Sequence, residues 1–240
     1  WASDYCPAAL DLMDAGTPYD RDVFAVGVAA HSVLEGLVIE QRAKDNAVLF
    51  DHADRVAEAV VTSLVTRGRS FDGVPEPPLK PEVAAEGRNI ALRWWNRARD
   101  VAPVPMTHRP EVALAVDKDW NPVPYGKDAY YRGIVDLVGP VEADGYDEFS
   151  GGMGLEHPDY KTNWNAGPDY LDSIQMRGQT LLVLANAGNL GMVAPAFIRR
   201  RVINLRTGGD FSADLWLDDD FDRTVKTWKA DIALAMAHAD

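Results

Sequence analysis

Apolar residues recur at helical period from Val23 to Glu40, in the run VFAVGVAAHSVLEGLVIE, which places His31 and Glu35 on one face of a predicted helix. A second amphipathic stretch extends from Asp51, a candidate N-cap, to Arg67 and stops at Gly68. Residues 70–81 hold four prolines and predict an extended connector. Pro81 to Asp100 predicts a third helix, with Pro81 in its first turn and Arg88, Arg93, Arg97 and Arg99 along it. The period then shortens to two. Glu111–Val116 and Tyr130–Val138 alternate on either side of the Asn121-Pro122 and Tyr125-Gly126 turns and predict paired strands. A glycine-rich loop at 144–154, a strand over Leu155–Thr162, a helix over Asp172–Ala187, a strand over Ala196–Leu205 and a helix over Asp222–His238 complete the series. Helices, then three strands, then helix–strand–helix predict an α/β or α+β domain with an early helical insertion.

Composition narrows the classes. The 240 residues carry 24 Lys+Arg against 37 Asp+Glu, a net charge of −13, which excludes a uniformly basic nucleic-acid coat or a polybasic membrane binder. It leaves open an enzyme that gathers carboxylates around a metal. The one cysteine, Cys6, excludes an intrachain disulfide or a multi-cysteine metal site, and points toward a reducing cytoplasm. The apolar stretch Leu181–Phe197 is interrupted by Asn186, Asn189 and Pro195, and no membrane span is expected. A start at Trp1 suggests a trimmed or partial chain.

The chemistry-bearing residues lie on the predicted strands. Asp136 follows Gly133 in Gly-Ile-Val-Asp, and period-two geometry sets Asp159 and Lys161 on one face of the next strand. Carboxylates on adjacent strands can hold Mg²⁺ or Mn²⁺, and an ammonium beside them can stabilise charge developing on a phosphate. The same Asp-x-Lys triplet also fits a surface ion pair. His31 fits either a metal ligand with a neutral imidazole or a satisfied core histidine.

Taken in order, the segments Gly27-Val-Ala-Ala-His31-Ser-Val-Leu-Glu35, Gly133-Ile-Val-Asp136, Asp159-Tyr-Lys161-Thr162 and the helix bearing Gln175 and Gln179 resemble the RecB-like branch of the PD-(D/E)XK nucleases. The resemblance spans about Ser3 to Ala187. It implies a restriction-endonuclease-like core over residues 1–240, a central mixed sheet flanked by helices, with a helical insertion at about 41–105. It implies one or two Mg²⁺ or Mn²⁺ ions held by His31, Asp136, Asp159 and the carbonyl of Tyr160. Lys161 would activate water and stabilise the transition state. Gln179 fits the family glutamine that braces the lysine, with Gln175 as the other register. Glu35 and Glu111 are accessory candidates. The implied activity is a DNA exonuclease in repair or recombination in a bacterial or phage-infected cytoplasm, alongside a helicase or recombination protein.

The match departs from the family pattern in places. The tyrosine expected four residues after the glutamine is Val183 in one register and Gln179 in the other. Pro158 within the third strand removes a ladder donor and predicts an edge or bulge. His157 reads as a loop-end histidine that shares a face with Asp159. Ser3-Asp-Tyr-Cys6-Pro7 resembles the start of members that bind an iron–sulfur cluster, yet the three further cysteines are absent, so no cluster is expected. Arg199, Arg200 and Arg201, with Arg93 and Arg97, are candidate phosphate contacts. Trp94 and Trp95 fit the core or a base-stacking surface. No nucleotide-binding Gly-rich motif, nucleophile elbow or His-Glu-x-x-His occurs. An alternative is a catalytically silent subunit that binds DNA ends.

Overall fold

A computed structural model describes residues 21–43, 52–71, 74–98, 107–143, 152–192, 194–218 and 220–237. The elements are α1 (Arg21–Ala43), α2 (Ala53–Thr66), the short hairpin β1 (Ser70–Phe71) and β2 (Val74–Pro75), and α3 (Pro81–Ala98). Then come β3 (Arg109–Val116), β4 (Tyr131–Glu142), β5 (Met153–Lys161), a 3-10 turn (Pro168–Asp172), α4 (Ile174–Ala185), β6 (Phe197–Asn204), β7 (Asp210–Trp216) and α5 (Phe221–Ala237). The predicted Asp51 cap and the Ser3–Pro7 segment lie outside the described residues. Gly68 does end α2: its φ is +73°, and a Cβ there would lie 2.2 Å from the Glu76 carbonyl oxygen.

The fold is α+β. Five strands form a mixed sheet in the order β3-β4-β5-β6-β7, antiparallel throughout except for the parallel β5–β6 pair. That parallel pair requires a crossover, which α4 supplies. One face of the sheet is covered by α1, α2 and α3 through Val33, Leu34, Leu37, Ala57, Ile90 and Trp95, which pack with Leu137, Tyr160 and Ile203 of the strands. Gly87 lets α3 lie directly on α1, since a Cβ would come within 2.5 Å of Ala29. The other face meets α4 and α5 through Leu182, Val183, Trp228 and Ile232.

A short hairpin interrupts the predicted connector at 70–75, β5 begins at Met153 inside the predicted loop, and two further strands differ from the expectation. β4 runs on through Gly139 and Pro140 to Glu142, because Gly139 leaves room for the buried His108 ring, 2.5 Å from where a Cβ would stand. β7 is a strand that the sequence pattern does not predict. Asp214 pairs with Arg199 directly across the ladder and Asp210 reaches Arg201 on the diagonal, so each arginine–acid pair ties the edge strand to its neighbour. One helix among the described residues meets the length and composition of a membrane span, which narrows the expectation that none would. Its window is Phe24–Gln41, with mean hydropathy 1.2, and half of it is buried within the protein.

Candidate metal centre

The site forms where two strands part. β4 and β5 pair from Glu142–Met153 to Gly139–Glu156, and there the ladder stops. Carried forward, that register would set Asp136 opposite Asp159. Pro158 explains the break. Backbone N–H groups of alternate strand residues point to the same edge, and the Tyr160 N–H faces β4, so the proline nitrogen faces β4 with no hydrogen to donate. Pro158 thus sits in a central strand, paired with Arg201 on its β6 side, and neither the edge nor the bulge that the sequence predicts is needed. The gap is filled by side chains. Asp136 Oδ2 accepts the Tyr160 N–H at 2.7 Å, and His31 Nε2, brought by α1, lies 2.8 Å from the Tyr160 carbonyl oxygen. His31 Nδ1 lies 3.4 Å from Asp136 Oδ1. Gly27, one helical turn before His31, makes room for Thr162, whose Oγ1 would be 3.2 Å from a Cβ.

The neighbouring strand is distorted at the same level. The β3–β4 register flanks Glu111 and Asp136 without pairing them, and Glu111 has φ +49°, an unusual conformation for a residue with a side chain. Alternation along β4 slips here too: Val135 and Val138 both join the α4-side cluster, while Leu137 joins the α1-side cluster. The result is a recess lined by His31, Leu34, Glu35, Glu111, Asp136 and Tyr160. His31, Glu111 and Asp136 each offer one ligand atom, and the three atoms lie within 4.8 Å of one another. An imidazole nitrogen and two carboxylate oxygens suit a divalent cation, so these residues fit a metal.

Electrostatics agree with the donor set. Burial alone would lower the His31 pKa, but Asp136, with Glu111 and Asp159 beyond it, pushes it up to about 9. Burial also raises Glu111, and the Asp136 charge adds to it. His31 and Arg69 oppose the rise, and the carboxyl is pushed up to about 7. Arg69 Nη2 stands 3.3 Å from Glu111 Oε2. For Asp136, burial is outweighed by His31 and the Tyr160 N–H, which hold its carboxyl below the ordinary range. Glu35, half-buried on the recess wall, is raised by burial against the pull of Arg69. Several acids thus share too little positive charge, and a proton on His31 supplies part of it.

Asp159 belongs to a second, adjoining group. Its Oδ2 is 2.7 Å from Lys161 Nζ, and Gln175 bridges the pair, accepting from Lys161 at 2.9 Å and donating to Asp159 Oδ1 at 3.1 Å. Burial raises the Asp159 carboxyl, with Lys161 opposing and Asp136 adding to the rise. Two expectations change here. The glutamine that braces the lysine is Gln175, not Gln179. Gln179 is buried one turn on, donating to the Ile134 carbonyl at 3.2 Å. And the convergent acid beside His31 and Asp136 is Glu111, while the Asp159 carboxylate turns to Lys161.

Other candidates fall elsewhere. His157 is fully buried in mid-strand, not at a loop end, and contacts Thr180 Oγ1 at 2.9 Å. Burial, with Arg200 nearby, depresses its pKa to about 3. The arginine run is drawn into the fold. Arg199 and Arg200 are buried, Arg199 on Asp214 and Arg200 on Asp172 and the Leu171 carbonyl, and half-buried Arg201 makes two bonds to Asp210. Alternation therefore aims Arg199 and Arg201 at carboxylates and not at open solvent. Arg93 and Arg97 are exposed on α3. Trp95 is core, and Trp94 stacks edge-on against Tyr160 with centroids 5.2 Å apart. Sequence reasoning did not single out Arg69 or Trp164, because neither sits in a periodic element. A tryptophan close after Asp-Tyr-Lys-Thr was the available signal.

No protein-family model matches the chain, and no curated protein matches its sequence.

Proposed function

We propose that this protein is a divalent-metal-dependent nuclease that hydrolyses phosphodiester bonds of DNA, an exonuclease of the PD-(D/E)XK kind. One observation carries the reading: where β4 and β5 part, His31, Glu111 and Asp136 come into mutual reach beside Lys161 and Gln175, which both bond the buried Asp159. His31, Glu111, Asp136 and the Tyr160 carbonyl would hold Mg²⁺ or Mn²⁺. Such an ion, when bound, polarises a phosphate oxygen and acidifies water.

The chain's own residues do the rest. Asp159 and Gln175 fix the Lys161 ammonium at the end of β5, so that it meets charge developing on the phosphate with little reorganisation. The Tyr170 ring, 5.5 Å from Lys161 Nζ, limits its wandering on the other side. His31 must give up its proton before it can ligate, and Asp136 keeps its acceptor role toward Tyr160 in either state.

The test incubates end-labelled single- and double-stranded DNA with the protein and Mn²⁺, Mg²⁺ or EDTA. Metal-dependent cleavage is expected, lowered about 10³-fold in Lys161→Ala and in Asp136→Asn. Binding without cleavage on every substrate would instead favour the silent end-binding subunit.

A further inference from the structure

Trp164 is the most exposed large apolar side chain among the described residues, at 68 % exposure, and follows Lys161 by three residues. Its loop is firmly held. Asn204 Nδ2 donates to the carbonyls of Asn163 and Ala166, each at 3.0 Å, and Asn163 Nδ2 donates to Tyr170 Oη at 2.7 Å. Arg206 Nε donates to the Thr162 carbonyl, and its Nη2 is fixed by Glu86 at 2.6 Å. The same guanidinium lies 5.3 Å from the Trp164 ring centroid and steadies the indole as a cation–π partner. An indole left in water on a rigid loop forgoes the burial that a tryptophan ordinarily gains.

We propose that Trp164 is a stacking platform for an unpaired nucleobase, and that the substrate is single-stranded DNA or a frayed end. This rests on the nuclease reading for the position of the phosphate. Three residues of chain put the Trp164 Cα within about 11 Å of that of Lys161, the reach of a few nucleotides. A base inside a duplex is stacked on both faces and offers the indole none, whereas each unpaired base offers a free face. The Arg206 guanidinium stands at the ring itself, shared with Glu86, and Lys161, shared with Asp159, precedes the ring by three residues, in a chain that is otherwise strongly acidic. A cation-flanked aromatic suits a polyanion with flat bases better than a hydrophobic peptide.

The experiment measures anisotropy of fluorescein-labelled phosphorothioate oligothymidylate, and of a blunt duplex of equal length, with the full chain in Ca²⁺. Trp164→Ala is expected to weaken oligothymidylate binding roughly five- to hundredfold and to leave duplex binding within about twofold. Trp164→Phe, which keeps an aromatic face, is expected to stay within about threefold of wild type. Equal oligothymidylate binding by wild type and Trp164→Ala overturns the platform, as does a matching loss on both DNAs. The two readings also separate. Binding through Trp164 with no cutting in Mn²⁺ removes the nuclease and keeps the platform. Cutting with binding indifferent to Trp164 removes the platform and keeps the nuclease.

Discussion

The two ends of β5 hold two charged groups built from similar residues, and they have opposite character. Toward its start, where β4 and β5 are still paired, Glu156 Oε1 is 2.7 Å from Nε2 of the buried His108, and its Oε2 is 3.6 Å from Arg201, which in turn holds Asp210. Each charge there has an opposite within reach. Toward the end of β5, past Pro158, His31 faces Asp136 and Glu111 with Asp159 behind, and the acids outnumber the bases. The difference lies in backbone pairing. Where the ladder is closed, side chains neutralise one another across the sheet; where it opens, the backbone of Tyr160 joins the site and carboxylates gather around a recess. The first arrangement stabilises the fold, and the second leaves a place for a cation.

The sharpest way to break the contrast is at Glu156. Glu156→Ala strands buried His108, while Arg201 keeps Asp210, and is expected to lower unfolding free energy by about 3 kcal/mol in urea titration. The variant that folds should retain metal-dependent cleavage. Loss of cleavage with stability unchanged would mean that the paired end is part of the chemistry.

The next effect belongs to the open end. A cation that binds only the folded state adds RT ln(1 + [L]/Kd), about 2.7 kcal/mol at a hundredfold excess over Kd. Mn²⁺ should therefore raise the melting temperature of the wild type, leave Glu111→Ala/Asp136→Ala unmoved, and still raise that of His157→Gln. An equal rise in all three would place the ion elsewhere.

The pH dependence is smaller per unit and more diagnostic. With His31 at about 9 and Glu111 at about 7, ion binding must displace both protons below pH 7, one between 7 and 9, and none above. The logarithm of the Mn²⁺ affinity should accordingly rise with a slope of about 2, then about 1, then level off, as calorimetry in buffers of different ionisation enthalpy would read. The metal-free fold shows the opposite sign for His31. Its raised pKa stabilises the fold fully below about 6.5, and that contribution disappears as pH climbs through about 9. A flat affinity profile would put His31 outside the ligand set.

Much of this was legible in the chain. Helical period located α1, α2, α3 and α5, alternation located β3, β4 and β6, and the spacing of Asp159 from Lys161 gave their shared face. What escaped were features set by partners distant in sequence. β7 depends on Asp210 and Asp214 meeting arginines of β6, so the acids gave no strand signal of their own and the arginines read as phosphate contacts. The choice between Gln175 and Gln179 turned on one helical turn, which periodicity fixes only once Lys161 is placed in space. Glu111 was an accessory candidate in the sequence, but its place beside His31 and Asp136 depends on a positive φ that no residue type announces. His157 and Pro158 read as loop and edge because a histidine and a proline are rare inside central strands, and here they are held by Thr180 and by a gap.

Asp136 also serves as a substitute peptide carbonyl, accepting the N–H that Tyr160 would otherwise have offered to β4. A lineage that abandoned the chemistry would still be held to an acceptor at that position, because alanine would leave a buried amide unanswered, whereas asparagine would answer it. The backbone thus constrains this position on its own, whether or not the recess holds an ion.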